Sequence, residues 1–542
     1  MAAGLVGLML LVACGPDPTV MPTATVPPTA TVPSTATPTT VAGATPTPVP
    51  PPEGTLRVAV TGAADHRDLH RLVSEWATLF GPSLSYNRLL RFATGPGVPL
   101  PSLVVECDLC SEWRRVDQIT YEMDVHPDAR WQDADGLPSR PVTADDVVFS
   151  LERLRTRGYP HVALLDSVDR ILALTEHTVQ LRLHFPDPDL AIKLASPYAV
   201  MVQPEVMQAG DPRTAPVVSS GPWRYQQGLS GQVKLTAWEE YWRPGEPVVQ
   251  AIVFQPAASL DVGVGVLRGG RADMAQVTEE QWAALAQEGF SSAVVQRQGR
   301  GLLFGLNTAR APFADVLVRR AALKALDPHG ALADTFGIGS LGVGVPVVDP
   351  SWMVDDATLR ATFDDPAAAR ELQREANAEG TAFTLVVANF GEEYVAHGTA
   401  LADQLRGVGF DVTMDVLSRG AYLNRVWRDR EFDAFVGPLP PIDTPNGFLL
   451  GLLHSRGSSN VTGMSDEAID ALIEAQAIEP DIARRGELVR EIQVRTLAGA
   501  WLFMPVISAE RWAHTGRVRD LAPAMPMGAG DLWRAVGIED QP

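Results

Sequence analysis

Two cysteines three positions apart, Cys107 and Cys110 in "ECDLCSEW", are the most evident candidates for chemistry in this chain. A C-x-x-C pair can serve as a redox centre, as half of a zinc site or as a small disulfide. No second C-x-x-C follows to complete a zinc site, and no thioredoxin-like βαβ pattern surrounds the pair. In an exported protein this spacing favours a local disulfide that closes a tight loop, and a redox pair is the alternative.

Two further patterns match ligand-binding motifs, but their surroundings argue against that role. His66 and His70 stand four positions apart without other clustered ligands, so we expect a solvated segment and no metal site. Residues 337–342 match G-x-G-x-x-G, yet they follow a helix-like stretch where the motif requires a strand, so we expect a loop. No G-x-S-x-G, P-loop or H-E-x-x-H motif occurs. The sequence therefore predicts no enzyme and no cofactor.

The N-terminus carries an apolar run at residues 5–13 that is too short to span a bilayer. It ends in Leu11-Val12-Ala13-Cys14, which resembles the bacterial lipoprotein box, so we expect residues 1–14 to be a signal peptide whose Cys14 receives a lipid. A positively charged start is missing, which a start codon placed too far downstream would explain. The alternative is an apolar terminus that is never processed.

A spacer dominated by proline and threonine, residues 15–53, follows the cysteine. It has no apolar mass to bury and favours extended polyproline conformation, which gives it a reach of about 100 Å. Residues 54–542 are too many for one core, so two or three subdomains are expected. The net charge of −21 argues against nucleic-acid binding, which needs clustered cations.

Strand-like and helix-like patterns alternate along residues 54–542. The apolar run at 383–390 predicts a strand covered on both faces, and Thr143 with Asp146 predicts a capping box. Predicted strands are 54–60, 119–125, 178–185, 233–238 and 383–390, and predicted helices are 143–158, 315–326, 392–409 and 484–498. This mixture indicates α/β architecture with more than one sheet.

Several segments share residues and order with a known family pattern. The block at 121–154 contains Trp131 and then Pro-Val-Thr-Ala-x-Asp-Val at 141–147. Other segments that fit are Gly221-Pro222-Trp223, the Gly-x-x-Asp stretch ending at Asp273, Asn307 with the helix after it, and "WLFMPVI" near the end. Together they resemble the extracytoplasmic solute-binding proteins of ABC transporters, in the oligopeptide, dipeptide and nickel group (family 5).

This resemblance implies a periplasmic-binding-protein-like clamp of the class II type, with two lobes and an extra subdomain inserted in lobe one. The implied parts are lobe one at 54–303 with its insertion near 85–194, lobe two at 304–504, and a C-terminal return to lobe one at 505–542. The chain would cross the hinge near 303–307 and 503–506. A ligand would favour the closed state because it contacts both lobes.

The resemblance also implies which residues face the ligand. Family members that bind peptides use a lobe-two segment reading Gly-Trp-x-x-Asp-Tyr-x-Asp-Pro, which corresponds here to 437–445. Pro438 replaces the tryptophan and Pro441 the first aspartate, so strand-like pairing with a peptide is weakened and Asp443 is the candidate ammonium partner or a turn residue. The expected ligand-binding residues are Tyr86, Asn87, Trp223, Asn307, Asn389, Gly437, Pro438, Leu439 and Asp443.

The function implied is that of a monomeric, lipid-anchored receptor on the outer face of the membrane or in the periplasm. It would capture a peptide or similar solute and pass it to an ABC permease complex. Alternatives are a surface sensor or chaperone-like binder with the same clamp, and a receptor for a metal chelate, haem or an oligosaccharide. Tethering would raise the effective concentration of the receptor at its permease.

Overall fold

One mixed sheet of eleven strands runs through the chain in this computed structural model. The structure describes residues 51–62, 66–95, 98, 103–228, 230–342, 350–439, 442, 444–521 and 528–539. The strands are β1 (Thr55–Thr61), β2 (Leu90–Phe92), β3 (Val105–Cys107), β4 (Cys110–Arg115), β5 (Thr120–Val125), β6 (Arg130–Trp131), β7 (Arg140–Pro141), β8 (Val168–Ala173), β9 (Thr178–Leu183), β10 (Trp223–Gln227), β11 (Val233–Ala237), β12 (Ala251–Ala257), β13 (Met274–Val277), β14 (Ser291–Leu306), β15 (Ser340–Gly342), β16 (Ala382–Asn389), β17 (Asp411–Ser418), β18 (Ala434–Pro438), β19 (Leu502–His514), β20 (Val518–Arg519) and β21 (Gly537–Ile538).

Helices flank this sheet and connect its strands. They are α1 (Glu75–Leu79), α2 (Ala144–Leu154), α3 (Leu190–Leu194), α4 (Pro204–Ala209), α5 (Leu260–Arg268), α6 (Glu279–Gln287), α7 (Val316–Ala325), α8 (Pro328–Thr335), α9 (Asp356–Thr362), α10 (Pro366–Glu375), α11 (Glu392–Gly407), α12 (Arg419–Tyr422), α13 (Pro445–Phe448), α14 (Glu467–Ala477) and α15 (Ile482–Gly499). Helices α12 and α13 continue directly into π-helical turns.

The large sheet has the strand order β10-β11-β12-β1-β13-β19-β14-β18-β16-β17, with β15 added on β19. Strands β12, β1 and β13 are mutually parallel, and so are β18, β16 and β17. The long strands β14 and β19 pair antiparallel to each other between these two groups. We call the part around β10–β13 and β1 the first lobe, and the part around β16–β18 the second lobe.

The hydrophobic cores divide along β14 and β19. On β14, Val295 packs in a first-lobe cluster and Leu302 in a second-lobe cluster. On β19, Ile507 belongs to the second lobe and Trp512 to the first. Among the residues that the structure describes, no cluster has members from both lobes. Two separately packed bodies joined by two strands form the two-lobed α/β clamp that the sequence predicted.

A smaller sheet lies within the first lobe. Its strand order is β4-β5-β9-β8, and α2 packs on it. Its buried residues, from Leu89 to Met201 with Ala529 added, form a core of their own. Asp146 holds α2 in place, because its carboxylate accepts hydrogen bonds from Thr143 N and from the buried Trp131 Nε1, each at 3.0 Å. The predicted capping box is therefore present.

The predicted strands and helices are found with small shifts at their ends. The strand at 383–390 is buried on both faces, since Leu385 and Val387 pack into one cluster and Val386 and Ala388 into another. The helix expected at 143–158 ends at Leu154. Within the described part of the chain, no helix is long and apolar enough to cross a membrane.

Two predictions from the motif search are wrong. Residues 340–342 form strand β15 on β19, so the G-x-G-x-x-G stretch is only partly a loop. His70 is fully buried, with Nε2 3.0 Å from Val200 O, where a solvated segment was expected. Its burial, together with the nearby Arg153 charge, lowers the pKa of His70 to about 4. The described residues contain no group of three or more His, Cys, Asp or Glu arranged to hold a metal.

Candidate functional site

The topology places the carboxyl ends of two groups of strands, one in each lobe, face to face. Strand β14 runs from the first lobe to the second and is parallel to β13, because both pair antiparallel with β19. The carboxyl ends of β1, β12 and β13 therefore point toward the second lobe. Strand β19 runs back to the first lobe and is parallel to β18, so the carboxyl ends of β16, β17 and β18 point toward the first lobe. Ligands of open α/β sheets bind outside such carboxyl ends, and we take the cleft between these two edges as the candidate site.

The second-lobe edge carries an aromatic and cationic surface. Strand β16 ends at the exposed Asn389, and Phe390 follows it. Strand β17 ends at Ser418, and the exposed Arg419 places its guanidinium 5.3 Å from the centre of the Phe390 ring. Within the described part of the chain, the Arg419 guanidinium has no hydrogen-bond or ion-pair partner. This edge therefore presents an available cation next to an apolar surface.

Strand β18 supplies the backbone of the same edge. It ends at Pro438, whose carbonyl accepts a hydrogen bond from the buried Tyr422 OH at 3.2 Å. Gly437 is required there, because a Cβ would lie 2.5 Å from Tyr422 and 2.7 Å from Ala388. Leu439 comes next and packs on the second-lobe core. The proline at 438 leaves this segment without an amide donor at its end.

The first-lobe edge carries an ion pair near the two connecting strands. Strand β13 ends at Val277, and Glu279 after it accepts two hydrogen bonds from Arg511 of β19, at 2.7 and 3.1 Å. The Arg511 guanidinium also lies 5.6 Å from the Trp282 ring. Gly337 of the second lobe approaches this pair so closely that a Cβ there would lie 2.7 Å from Glu279 Cγ.

The predicted ligand residues of the second lobe fall into two groups. Asn389, Gly437, Pro438 and Leu439 lie together at the edge that faces the first lobe. Asn307 lies at the opposite edge, beside Asp433, the residue that precedes β18. It is buried, and its side chain donates to Phe432 O at 2.9 Å, so its hydrogen bonds serve the fold. Asp443 lies outside the described residues.

The predicted ligand residues of the first lobe are all buried. Asn87 donates to Asp108 Oδ1 at 2.8 Å and to Tyr241 OH at 3.3 Å. Tyr86 is buried beside it, and burial raises the pKa of the Tyr86 phenol well above its usual range. Trp223 begins β10 in the first-lobe core and is fully buried. The structure therefore does not bring these three residues together with the second-lobe group.

Cys107 and Cys110 are joined in a disulfide. Of the two residues between them, Asp108 is fully buried and receives hydrogen bonds from Asn87 and Arg534. Burial opposes its ionisation, but Arg534 and Arg88 outweigh that effect and hold the pKa of Asp108 well below its usual range. The loop that the disulfide closes thus presents a carboxylate to the first-lobe interior. Cys14 lies outside the described residues.

Comparison with known proteins assigns the chain to a family. The model of "Bacterial extracellular solute-binding proteins, family 5 Middle" matches residues 105–460. The chain belongs to this family. Its members are solute-binding proteins of ABC transporters, and this family 5 chain is therefore a protein of that kind.

Relatives of this family 5 chain differ in the solutes that their names record. Di/tripeptide-binding protein 3 of Pseudomonas aeruginosa (strain UCBPP-PA14) is 24% identical over 75% of this chain and 81% of its own length. HbpA2 from Haemophilus parasuis superposes with a TM-score of 0.77 at 19% identity, over 90% of this chain and 100% of that one. AgaA of A. tumefaciens R10, solved with agropinic acid, has a TM-score of 0.66 at 19% identity, over 90% of this chain and 99% of that one.

Sequence reasoning missed Phe390, Arg419, Glu279 and Arg511. None of them belongs to a sequence motif. Each lies at the solute-facing edge of its lobe because a strand ends shortly before it or, for Arg511, because β19 runs past that edge. The available signal was positional: the residue after each predicted strand end in a parallel sheet is a candidate for the ligand edge.

Proposed function

We propose that this family 5 protein is a membrane-tethered receptor that captures a peptide or a similar small solute between its lobes and delivers it to an ABC importer. The observation that supports this most strongly is the pair of facing carboxyl edges, with β14 and β19 as the strands that connect the two lobes. Two separately packed lobes on two connecting strands can open and close around a solute. The di/tripeptide-binding relative supports the choice of a peptide.

The chemistry of the second-lobe edge suggests what the solute carries. Arg419 is an exposed cation beside Phe390, and guanidinium groups bind carboxylates in a two-pronged geometry. We propose that Arg419 receives a carboxylate of the solute and that Asn389 and Leu439 contact its remainder. Asp443 is proposed as the partner of an ammonium group. A zwitterion with a short apolar body, such as a di- or tripeptide, satisfies all four contacts.

A second candidate solute is a carboxylate that has no free ammonium group. The prolines at 438 and 441 remove amide donors from the segment that pairs with peptides in the family pattern. AgaA, a structure with the same fold, was solved with agropinic acid. This candidate uses Arg419 and does not use Asp443, so one substitution separates it from the peptide.

The membrane attachment is proposed from the sequence. Lipidation of Cys14 and the spacer at 15–53 would hold a monomeric receptor at the outer face of the membrane, within reach of its permease. Cys14→Ser should release the protein from the membrane without changing solute binding. A sensor or a chaperone-like binder would share the clamp, and only loss of solute uptake in a deletion strain supports the transport role.

The binding test uses thermal unfolding with Ala-Ala, Ala-Ala-Ala and N-acetyl-Ala-Ala as probes. The peptide proposal expects the two free peptides to raise the unfolding temperature. It also expects Asp443→Asn to abolish their effect while N-acetyl-Ala-Ala stays weak. If N-acetyl-Ala-Ala stabilises as well as Ala-Ala, the carboxylate candidate holds. If Arg419→Ala leaves every shift unchanged, the proposed edge is not where the solute binds.

A further inference from the structure

The carboxylate of Asp189, in the first lobe, contacts residues of the second lobe. Asp189 precedes α3 of the first lobe and is fully buried. Its Oδ2 accepts a hydrogen bond from Asn446 N of the second lobe at 2.8 Å. Its Oδ1 lies 2.7 Å from Arg485 Nη2, also of the second lobe, and both side chains are almost completely shielded from solvent. These contacts join bodies whose hydrophobic cores are separate.

The second lobe holds its half of this contact in place. Arg485 Nε donates to Gln476 Oε1 and its Nη2 donates to Asn446 Oδ1, each at 3.1 Å. The guanidinium also lies 5.4 Å from the Trp352 ring. Gln476 Nε2 donates to the same Asn446 oxygen at 2.8 Å. None of these bonds needs the first lobe, so the second lobe can keep Arg485 oriented while Asp189 is away.

Hydrogen bonds within the first lobe also hold the backbone at Asp189 in place. The Asp189 amide donates to Asp187 Oδ1 at 3.0 Å. Asp187 is held in turn by Ser167 Oγ at 2.6 Å and by Lys193 Nζ at 2.8 Å. These bonds hold the Asp189 backbone, and bonds within the second lobe hold the Arg485 guanidinium, so closure orders few additional groups and loses less entropy.

We propose that Asp189 is a positioning residue for the solute edge, and that its contact with Arg485 and Asn446 latches the closed clamp. Asn446 comes directly after the segment 437–445 that was assigned to solute binding, so its amide anchors the end of that segment only when the lobes are together. The proposal rests on the proposed function for its biological meaning. The latch itself is a statement about lobe closure and needs no solute.

The chemistry favours two discrete states. In the open clamp Asp189 is hydrated, and Arg485 keeps its bonds to Asn446 and Gln476. In the closed clamp the two charges exchange water for each other and for the Asn446 amide. An intermediate opening would leave both charges partly dehydrated and unpaired, which is unfavourable. The pair therefore lowers the population of partly open molecules relative to the open and closed states.

The experiment measures the distance between the lobes without solute. In the full chain carrying Cys14→Ser, Leu172→Cys and Val494→Cys place labels on exposed positions of the first and second lobes. Single-molecule energy transfer then gives the ratio of closed to open molecules. We expect Asp189→Asn and Arg485→Gln each to lower this ratio about tenfold. The double variant should be no worse than either single variant, because the residues act as one pair.

Asp68→Asn is the matched control. Asp68 forms a similar, largely buried pair with Arg153, 2.7 Å away, but both residues lie in the first lobe. This variant should lower the unfolding temperature and leave the closed-to-open ratio unchanged. Equal distance distributions for wild type and Asp189→Asn would overturn the latch, and so would additive effects in the double variant.

Hydrogen exchange at the Asn446 amide tests the positioning role separately. We expect Asp189→Ala to accelerate exchange at Asn446 while the α14 and α15 amides stay protected. Unchanged protection at Asn446 would refute the positioning role. Neither measurement contains a solute, so failure of the receptor proposal to find a ligand leaves both results interpretable.

Discussion

Asp108 and Arg534 lie 426 positions apart in the sequence and form one buried ion pair, with Arg534 Nη1 2.6 Å from Asp108 Oδ1. Asp108 stands inside the disulfide loop, and Arg534 belongs to the C-terminal segment that returns to the first lobe. Because both side chains are shielded from solvent, neither can be satisfied by water if the other is removed. The pair therefore fixes the return of the C-terminus.

Removal of one partner of this pair should destabilise the first lobe strongly. We expect Arg534→Met to lower the free energy of unfolding by about 3–5 kcal/mol, since it leaves Asp108 charged and buried. Urea unfolding followed by tryptophan fluorescence measures this. Arg519→Met is the control, because Arg519 pairs with Glu539 at the exposed surface and its loss should have little effect. Equal effects of the two substitutions would contradict the role assigned to the buried pair.

Loss of the disulfide should cost less than loss of the ion pair. The loop it closes is so short that the double variant Cys107→Ser, Cys110→Ser should lose only about 2 kcal/mol. The same two cysteines also allow a test of the redox alternative. They line a surface pocket of about 490 Å³ together with His126 and Trp242. A structural disulfide predicts that neither Cys107 nor Cys110 reacts with a maleimide in the native protein. A reactive thiol at either position would favour the redox role.

Two buried histidines should make the protein sensitive to mild acid. Burial lowers the pKa of His70 and of His397 from 6.5 to about 4, so between these values the unfolded chain binds more protons than the folded one. Stability is then complete above pH 6.5 and falls as the pH is lowered toward 4, by up to about 3 kcal/mol for each histidine.

Urea unfolding at a series of pH values between 7.5 and 4.5 measures this loss. His397→Gln should reduce the pH dependence by about one proton. A wild-type protein with constant stability over this range would contradict the assignment of neutral, buried imidazoles.

Asn307 and Asn389 should respond oppositely to substitution by alanine. Asn307→Ala removes the buried bond to Phe432 O and should lower the free energy of unfolding by about 1–3 kcal/mol without changing solute affinity. Asn389 lies at the exposed end of β16, so Asn389→Ala should weaken solute binding about three- to tenfold and leave the stability unchanged. Calorimetric titration and thermal unfolding of both variants separate the two effects. The reverse pattern would place the solute at the other edge of the second lobe.

Much of the fold was predictable because local patterns and family order agree. The doubly covered strand at β16 and the capping box of α2 are set by residues close in sequence, and both were identified. The two lobes followed from the order of the family segments. The loop assigned to 337–342 failed because pairing with β19 depends on a strand more than 160 positions away.

The site was less predictable, for physical reasons that particular residues make plain. Asn307 fits the family register, but whether it lies at the near or far edge depends on the direction of β14 and β18 in space. Asp189 is the second of two aspartates in the stretch Pro186-Asp187-Pro188-Asp189, and only the approach of Arg485 gives it a role. Contacts between lobes leave no periodic pattern in the sequence, so they cannot be read from it.

Native mass spectrometry of the purified full chain tests whether the protein captures a small solute. We expect a peptide or another carboxylate with a mass of a few hundred daltons to remain bound under gentle conditions and to be lost on denaturation. Arg419→Ala should then be recovered empty, or with much less of that solute. A protein that carries no solute, and that none of the peptide or carboxylate probes stabilises, would contradict the account of a capture receptor.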